Sequence, residues 1–170
     1  AVHGFSHPAG EAAEAARLDA VIEQTGVGCR QQLLDRILGL PLFGQIATRH
    51  PGLKLMVDHM GALRGAKGSA AFPHMKELTA LARLPNVAVK LTGGPFYADD
   101  AYPFRSLHPH YRALYDAFGP RRLFWGTDIT KMPCSWRECV THFQEIDWMP
   151  DADKRLIMGD ALCDWLGWRP

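Results

Sequence analysis

A chain of 170 residues with 47% hydrophobic and 22% charged residues is sized for one globular domain that buries roughly 70% of its unfolded surface, which excludes a disordered tail. Its formal net charge of +1 provides no bulk attraction to nucleic acid or an anionic membrane, and no apolar run nears the roughly 20 residues that span a bilayer. The opening AVHGFSHPAG lacks the basic and apolar regions of a secretory leader, so a cytoplasmic location is the default expectation; Cys29, Cys134, Cys139 and Cys163, with no CxxC among them, read as reduced thiols.

Periodicity divides the chain into helical and extended segments. Glu11 to Gln24 is rich in Ala and Glu, with Ala16, Ala20 and Val21 spaced for one helical face, and Thr25-Gly26 stops it. Gln31 to Leu38 is apolar at helical spacing and Leu42 to Thr48 resumes the pattern beyond Pro41. Two short helices or one kinked helix are therefore expected before His50-Pro51-Gly52. Leu53 to His59 (LKLMVDH), bounded by Pro51-Gly52 and Gly61, has the pattern of a strand buried on both faces. Phe72 to Leu84 reads as a helix with Pro73 in its first turn. Val87 to Thr92 (VAVKLT) reads as a second strand, ended by Gly93-Gly94-Pro95. A polar and aromatic loop then leads to a helix from His110 to Phe118, closed by Gly119-Pro120. Leu123 to Thr127 is the third strand. A helix from Ser135 to Glu145 starts with Ser135 as N-cap and Glu138 as its box partner, and a last helix covers Asp151 to Trp165.

Strands separated by helices at about 30 to 40 residues per unit are βαβ units, which require parallel pairing. A doubly wound sheet would place a glycine-rich phosphate turn after a strand, and no GxGxxG or Walker sequence is present. A (β/α) barrel gathers polar residues at the C-terminal ends of successive strands. His59 ends the first strand, Lys90 and Thr92 the second, and Asp128 the third. The expected fold class is α/β and TIM-barrel-like: a partial (β/α) barrel with parallel strands and outer helices.

Four strings carry a more specific likeness. LMVDHMG from Leu55, PNVAVKLTG from Pro85, FGPRRLFWGTD from Phe118 and the closing MGDALCDWLGW from Met158 follow one another. Together they resemble the amidohydrolase-2 family, a group of TIM-barrel hydrolases, lactonases and decarboxylases whose last three strands read like vlDHlG, NVyvKlSG and RlmfGSDwP. The resemblance implies that Asp128 is a metal ligand or the base that takes the catalytic water's proton, and that His59 contacts the substrate or that water. It also implies one partial barrel domain over 1–170, mostly helical over 1–50 and holding the last three βα units over 51–170. Val27 to Leu34 (VGCRQQLL) resembles the family's early GvRhll strand, yet it runs into ATRHPGLKLMVDHMG without most of the intervening barrel. His3 and His7 do not match the family's opening His-x-His, and a complete barrel takes about 250 residues. A truncated or internally deleted member with an incomplete ligand set is the expectation.

Asp and His suit this chemistry on general grounds. A carboxylate at a barrel mouth holds a divalent cation or accepts a proton from water, and an imidazole donates to a developing oxyanion or exchanges a proton. Lys90, Tyr97 and Arg105 are candidate substrate-binding residues. Tyr97, with Tyr102 and Phe104, would shape a pocket, and Arg105 would clamp a carboxylate bidentately. Plainer roles stand beside these: Asp128 as a helix N-cap, His59 as a core histidine, Lys90 as a strand-end charge paired with a carboxylate, and the Tyr97 to Arg105 segment as a packed surface loop. Cys134, just before a helix N-terminus, is either a low-pKa thiol that reacts or binds metal, or an ordinary buried thiol. His108 and His110 read as cap or surface residues, and Trp136, Trp148, Trp165 and Trp168 as core or interface packing.

Two functions from different classes follow. The first is a hydrolase of the amidohydrolase-2 type acting by water attack on a small carboxylated or lactone-like substrate, with Asp128 as general base or ligand of a zinc or manganese ion and His59 as electrophilic partner. The second is a catalytically silent structural or interaction module. An open parallel edge invites pairing, so a homodimer that completes the barrel is expected as a partner, and neither nucleic acid nor membrane is.

Overall fold

A computed structural model describes residues 39–169. The readings made on Glu11 to Gln24, Val27 to Leu34 and Gln31 to Leu38, and on His3, His7 and Cys29, lie outside the described residues. Helix α1 covers Leu40–Arg49, with Pro41 in its first turn where a missing N–H costs nothing. Three strands follow in chain order, β1 (Leu55–Val57), β2 (Val87–Thr92) and β3 (Leu123–Gly126), and they pair in parallel in the order β1-β2-β3. Between them lie α2 (Met75–Ala80), the short turn α3 (Gly94–Tyr97) and α4 (His108–Phe118). Beyond β3 come α5 (Trp136–Gln144), α6 (Asp151–Arg155) and α7 (Ala161–Leu166).

Helices cover both faces of the sheet, which is why its strands are apolar on alternate and intervening positions alike. Leu55, Val57, Val87, Val89, Leu91 and Leu123 join one core with Ile46 of α1, Leu78 of α2, Leu114 of α4 and Phe143 of α5. On the other face Ala88 and Phe124 pack against Ala161, Leu162 and Trp165 of α7. Each fully buried Leu or Val side chain contributes about 1.5–3 kcal/mol. The register sets Val57 beside Val89 and Thr92 beside Gly126, so the C-terminal ends of all three strands reach one rim.

Several segments differ from their sequence patterns, each for a local reason. The Leu53 to His59 run is extended only over Leu55–Val57. Its last two residues leave the strand because Asp58 turns to the Lys90 ammonium and His59 takes φ 50, outside the extended region. The helix expected over Phe72 to Leu84 is regular only over Met75–Ala80 and tightens to a 3₁₀ turn at Leu81–Arg83 before Pro85. The last helix is interrupted by a π-helical stretch at Leu156–Asp160, which contains Gly159. The capping box is present as expected: Ser135 Oγ accepts from the Glu138 N–H at 3.3 Å and Glu138 Oε2 accepts from the Ser135 N–H at 2.8 Å.

Candidate active site

The rim at the C-terminal ends of the strands collects three polar side chains, one following each strand. His59 lies in the tight turn Asp58–Gly61 after β1, Thr92 is the last residue of β2, and Asp128 comes two residues after β3. His59 (φ 50) and Asp128 (φ 53) are both held in the left-handed region, which non-glycine residues seldom adopt. Such strain costs of order 1–3 kcal/mol at each position and persists where the surrounding structure fixes it. Here it turns both side chains toward each other: His59 Nε2 stands 3.6 Å from Asp128 Oδ2.

Thr92 orients the imidazole. Its Oγ1 lies 2.7 Å from His59 Nδ1, and its backbone oxygen lies at 3.4 Å from the same nitrogen. The Thr92 hydroxyl can donate to or accept from Nδ1, and the distance from Nε2 to Asp128 exceeds that of a hydrogen bond; the tautomer with the proton on Nε2 and Nδ1 accepting from the hydroxyl is the one that turns a donor toward the carboxylate. Lys131, on the 3₁₀ turn Ile129–Lys131, donates to Asp128 Oδ2 at 2.7 Å. Two cationic or donor groups therefore converge on one carboxylate oxygen. Asp128 Oδ1 makes no hydrogen bond among the described residues, which leaves it available to a water.

A cleft of about 950 Å³ opens beside this cluster. Its wall includes His59, Lys131 and Tyr97, with Phe43, Phe96 and Leu63 giving apolar surface and Arg64 and Glu77 adding charge. Asp128 is not among the lining residues and adjoins the cleft through its contacts with His59 and Lys131, which are. The five sequence candidates thus divide. His59 and Asp128 come together, and Tyr97 lines the same cleft. Lys90 is tied to Asp58 at 2.5 Å and does not line the cleft. Arg105 lines a separate depression of about 100 Å³ with His108, His142 and Glu145. Thr92, Lys131 and Arg64 gained no role from sequence. Lys131 sits three residues after Asp128, and that helical spacing was the available signal.

Other singled-out residues take structural places. Burial and the neighbouring Cys139 thiol push Cys134 up to about 12, so the low-pKa alternative is overturned. His110 stacks on Phe72 with ring centroids 4.3 Å apart, and His108 packs edge-on against Trp148. Trp148 and Trp165 pack against the cores, whereas Trp136 and Trp168 are exposed and belong to neither.

A divalent ion of the zinc type takes at least three protein donors. His59 and Asp128 supply two, and among the described residues no group of three His, Cys, Asp or Glu side chains comes together to hold a metal. Lys131 already places its ammonium on Asp128 Oδ2. The described residues do not by themselves fit a metal centre, and the chemistry below uses side chains alone. Among the described residues no helix is long and apolar enough to cross a membrane.

The amidohydrolase family model Amidohydro_2 matches residues 7–162. A curated L-fucono-1,5-lactonase from Burkholderia ambifaria is 35% identical over 134 residues, which are 72% of this chain and 44% of that protein. A 4-sulfomuconolactone hydrolase from Hydrogenophaga intermedia is 37% identical over 73 residues, 43% of this chain and 23% of that one. The chain thus spans less than half the length of these relatives. Among solved structures, an amidohydrolase from Burkholderia multivorans with bound zinc superposes with a TM-score of 0.65 at 26% identity, covering 76% of this chain and 49% of that one. A 2-pyrone-4,6-dicarboxylic acid hydrolase structure from Pseudomonas putida shares the fold at a TM-score of 0.54 and 19% identity, covering 92% of this chain and 68% of the other. The α/β, TIM-barrel-like expectation holds, as a partial barrel.

Proposed function

The chain belongs to the amidohydrolase family matched by that model, and from this premise we propose that it is a lactone hydrolase whose reaction centre is the His59–Asp128 pair. The observation that carries this reading is the convergence of the two side chains, from strands on either side of β2, at 3.6 Å on the rim beside a substrate-sized cleft. The sequence relatives named for lactone chemistry support an ester ring as the substrate class.

In the proposed reaction a water attacks the lactone carbonyl carbon. Asp128 Oδ1 takes the water's proton, and the His59 Nε2–H donates to the carbonyl oxygen as negative charge develops there. Collapse of the tetrahedral intermediate breaks the ring C–O bond, and the proton is passed to the departing ring oxygen. One lactone and one water become one hydroxy acid. Lys131 offsets the carboxylate's charge, and Tyr97 walls the cleft beside the ring. A zinc or manganese ion would need donors beyond the described set.

Two further expectations belong to this reading. Lys90 and Arg105 act on substrate only if the Lys90–Asp58 pair opens and the Arg105 depression joins the cleft, so replacing either by Met is expected to change KM by less than about twofold. Among the described residues no strand pairs with the outer side of β3, and a second copy of this chain is the proposed partner for that edge. Sedimentation at micromolar concentration is expected to show a dimer. A monomer would remove that partner and support no module role.

The direct test is acid release from a panel of sugar-acid 1,5-lactones and muconolactones. The purified chain is expected to open at least one member above the buffer rate, and Asp128→Asn to lose that excess. Equal rates with and without protein across the panel would leave the silent-module alternative standing.

A further inference from the structure

We propose that Cys134 and Cys139 form a modification site, a paired dithiol that closes to an intramolecular disulfide by exchange with a low-molecular-weight disulfide such as oxidised glutathione. The two sulfurs lie 3.5 Å apart. Their closeness comes from the start of α5: with Ser135 as N-cap, Cys134 is the residue before the cap and Cys139 the fourth helical residue, the two positions that a hydrophobic staple brings into contact. The capping box between Ser135 and Glu138 fixes the chain entry that holds them there. A disulfide needs its sulfurs at about 2.05 Å, so the bond closes with about 1.5 Å of further approach from this position.

Access sets the order of events. Cys139 is 1% exposed, whereas Cys134 is half-buried at the end of the loop that follows Asp128. The Cys134 thiolate attacks one sulfur of the small disulfide, the small S–S bond breaks, and one thiolate leaves and takes a proton. The Cys139 sulfur then attacks the Cys134 sulfur and expels the second small thiolate, which takes the other proton. Two protein thiols and one small disulfide become one protein disulfide and two small thiols, and the two electrons lost by the protein reduce the small disulfide. Burial and Cys139 raise the Cys134 thiol to about 12. Its thiolate fraction therefore grows about tenfold per pH unit below that value, and the exchange is expected to run roughly 100-fold faster at pH 9 than at pH 7. The bond would tie the loop carrying Asp128 and Lys131 to the first turn of α5.

The test incubates the full chain with oxidised glutathione at pH 9, quenches in acid, alkylates the remaining thiols and maps the peptides by mass. The expected result is a single cross-link joining Cys134 to Cys139 within one chain, absent from Cys134→Ser and kept in Cys163→Ser. Cys139→Ser is expected to stop at the glutathione adduct on Cys134. Mapping of the unmutated chain decides the matter if a serine variant does not fold. Alkylated thiols at both positions after prolonged incubation, or a cross-link through Cys163 or between two chains in place of this one, would overturn the proposal.

Discussion

Thr92 Oγ1 lies 2.7 Å from His59 Nδ1, so the last residue of β2 holds the imidazole that follows β1. Which ring nitrogen carries the proton depends on the bond the other one makes. Thr92→Val keeps the shape and removes the hydroxyl. It is expected to lower kcat for lactone opening about tenfold, equivalent to about 1.4 kcal/mol, with KM within twofold. Thr92→Ser should restore the rate. A Val variant with wild-type kcat would show that the imidazole needs no such support.

A methyl group at Gly94 would lie 2.0 Å from the Tyr111 hydroxyl, itself buried and hydrogen-bonded to His142 Nε2 at 3.3 Å. Gly94→Ala is therefore expected to destabilise the fold by about 1–3 kcal/mol in urea denaturation. Because the hydroxyl is the atom in the way, Gly94→Ala with Tyr111→Phe should cost less than the two single changes added together. Simple additivity would place the clash elsewhere.

His142, the most buried of three imidazoles shifted in the same direction, is expected to lead the pH dependence of stability. Burial lowers its pKa below the ordinary 6.5, and the Glu138 carbonyl, accepting from Nδ1–H at 3.1 Å, offsets this only in part. His108 and His110 are lowered by burial in the same sense. As pH falls below about 6.5 the unfolded chain binds more protons than the folded one, so stability is full above that pH and declines below it. The urea midpoint is expected to drop between about pH 7.5 and pH 5, and His142→Gln to flatten the drop. An unchanged slope in that variant would assign the dependence to other groups.

Asn86 Nδ2 donates to three backbone oxygens, those of Ala47 and Leu53 at 2.9 Å and His50 at 3.1 Å, and so fastens the end of α1 to the sheet. Asn86→Ala is expected to lose about 1–3 kcal/mol, since the buried Ala47 carbonyl loses the amide that donates to it. Asn86→Asp, which sets a carboxylate against those oxygens, should lose more. Matching denaturation midpoints for the two variants would contradict this account of the bond.

The strands were legible because VAVKLT and LFWGT are short, apolar and closed by glycine or proline, and parallel pairing followed from the helices between them. The box at Ser135 and Glu138 was legible for the same kind of reason: its partners are three residues apart. Asp128 and His59 were found as strand-end polar residues, but their left-handed backbone was not, because neither residue type announces it. Arg105 was expected to clamp a substrate carboxylate and lines a depression separate from the His59 cleft, a long-range placement that spacing does not encode. The π-helical interruption at Leu156–Asp160 was not read from the sequence, because the single Gly159 within it is also compatible with a continuous helix.

A double-mutant cycle on the pair that meets at 3.6 Å decides whether the two side chains form one reaction centre, with kcat for lactone opening measured in Asp128→Asn, His59→Asn and the two combined. If both side chains serve one water attack, each single change lowers kcat by about 10²–10⁴ and the combined change lowers it no further than the more severe single one. Losses that multiply in the combined variant, or single variants with wild-type rates, would contradict a shared reaction centre.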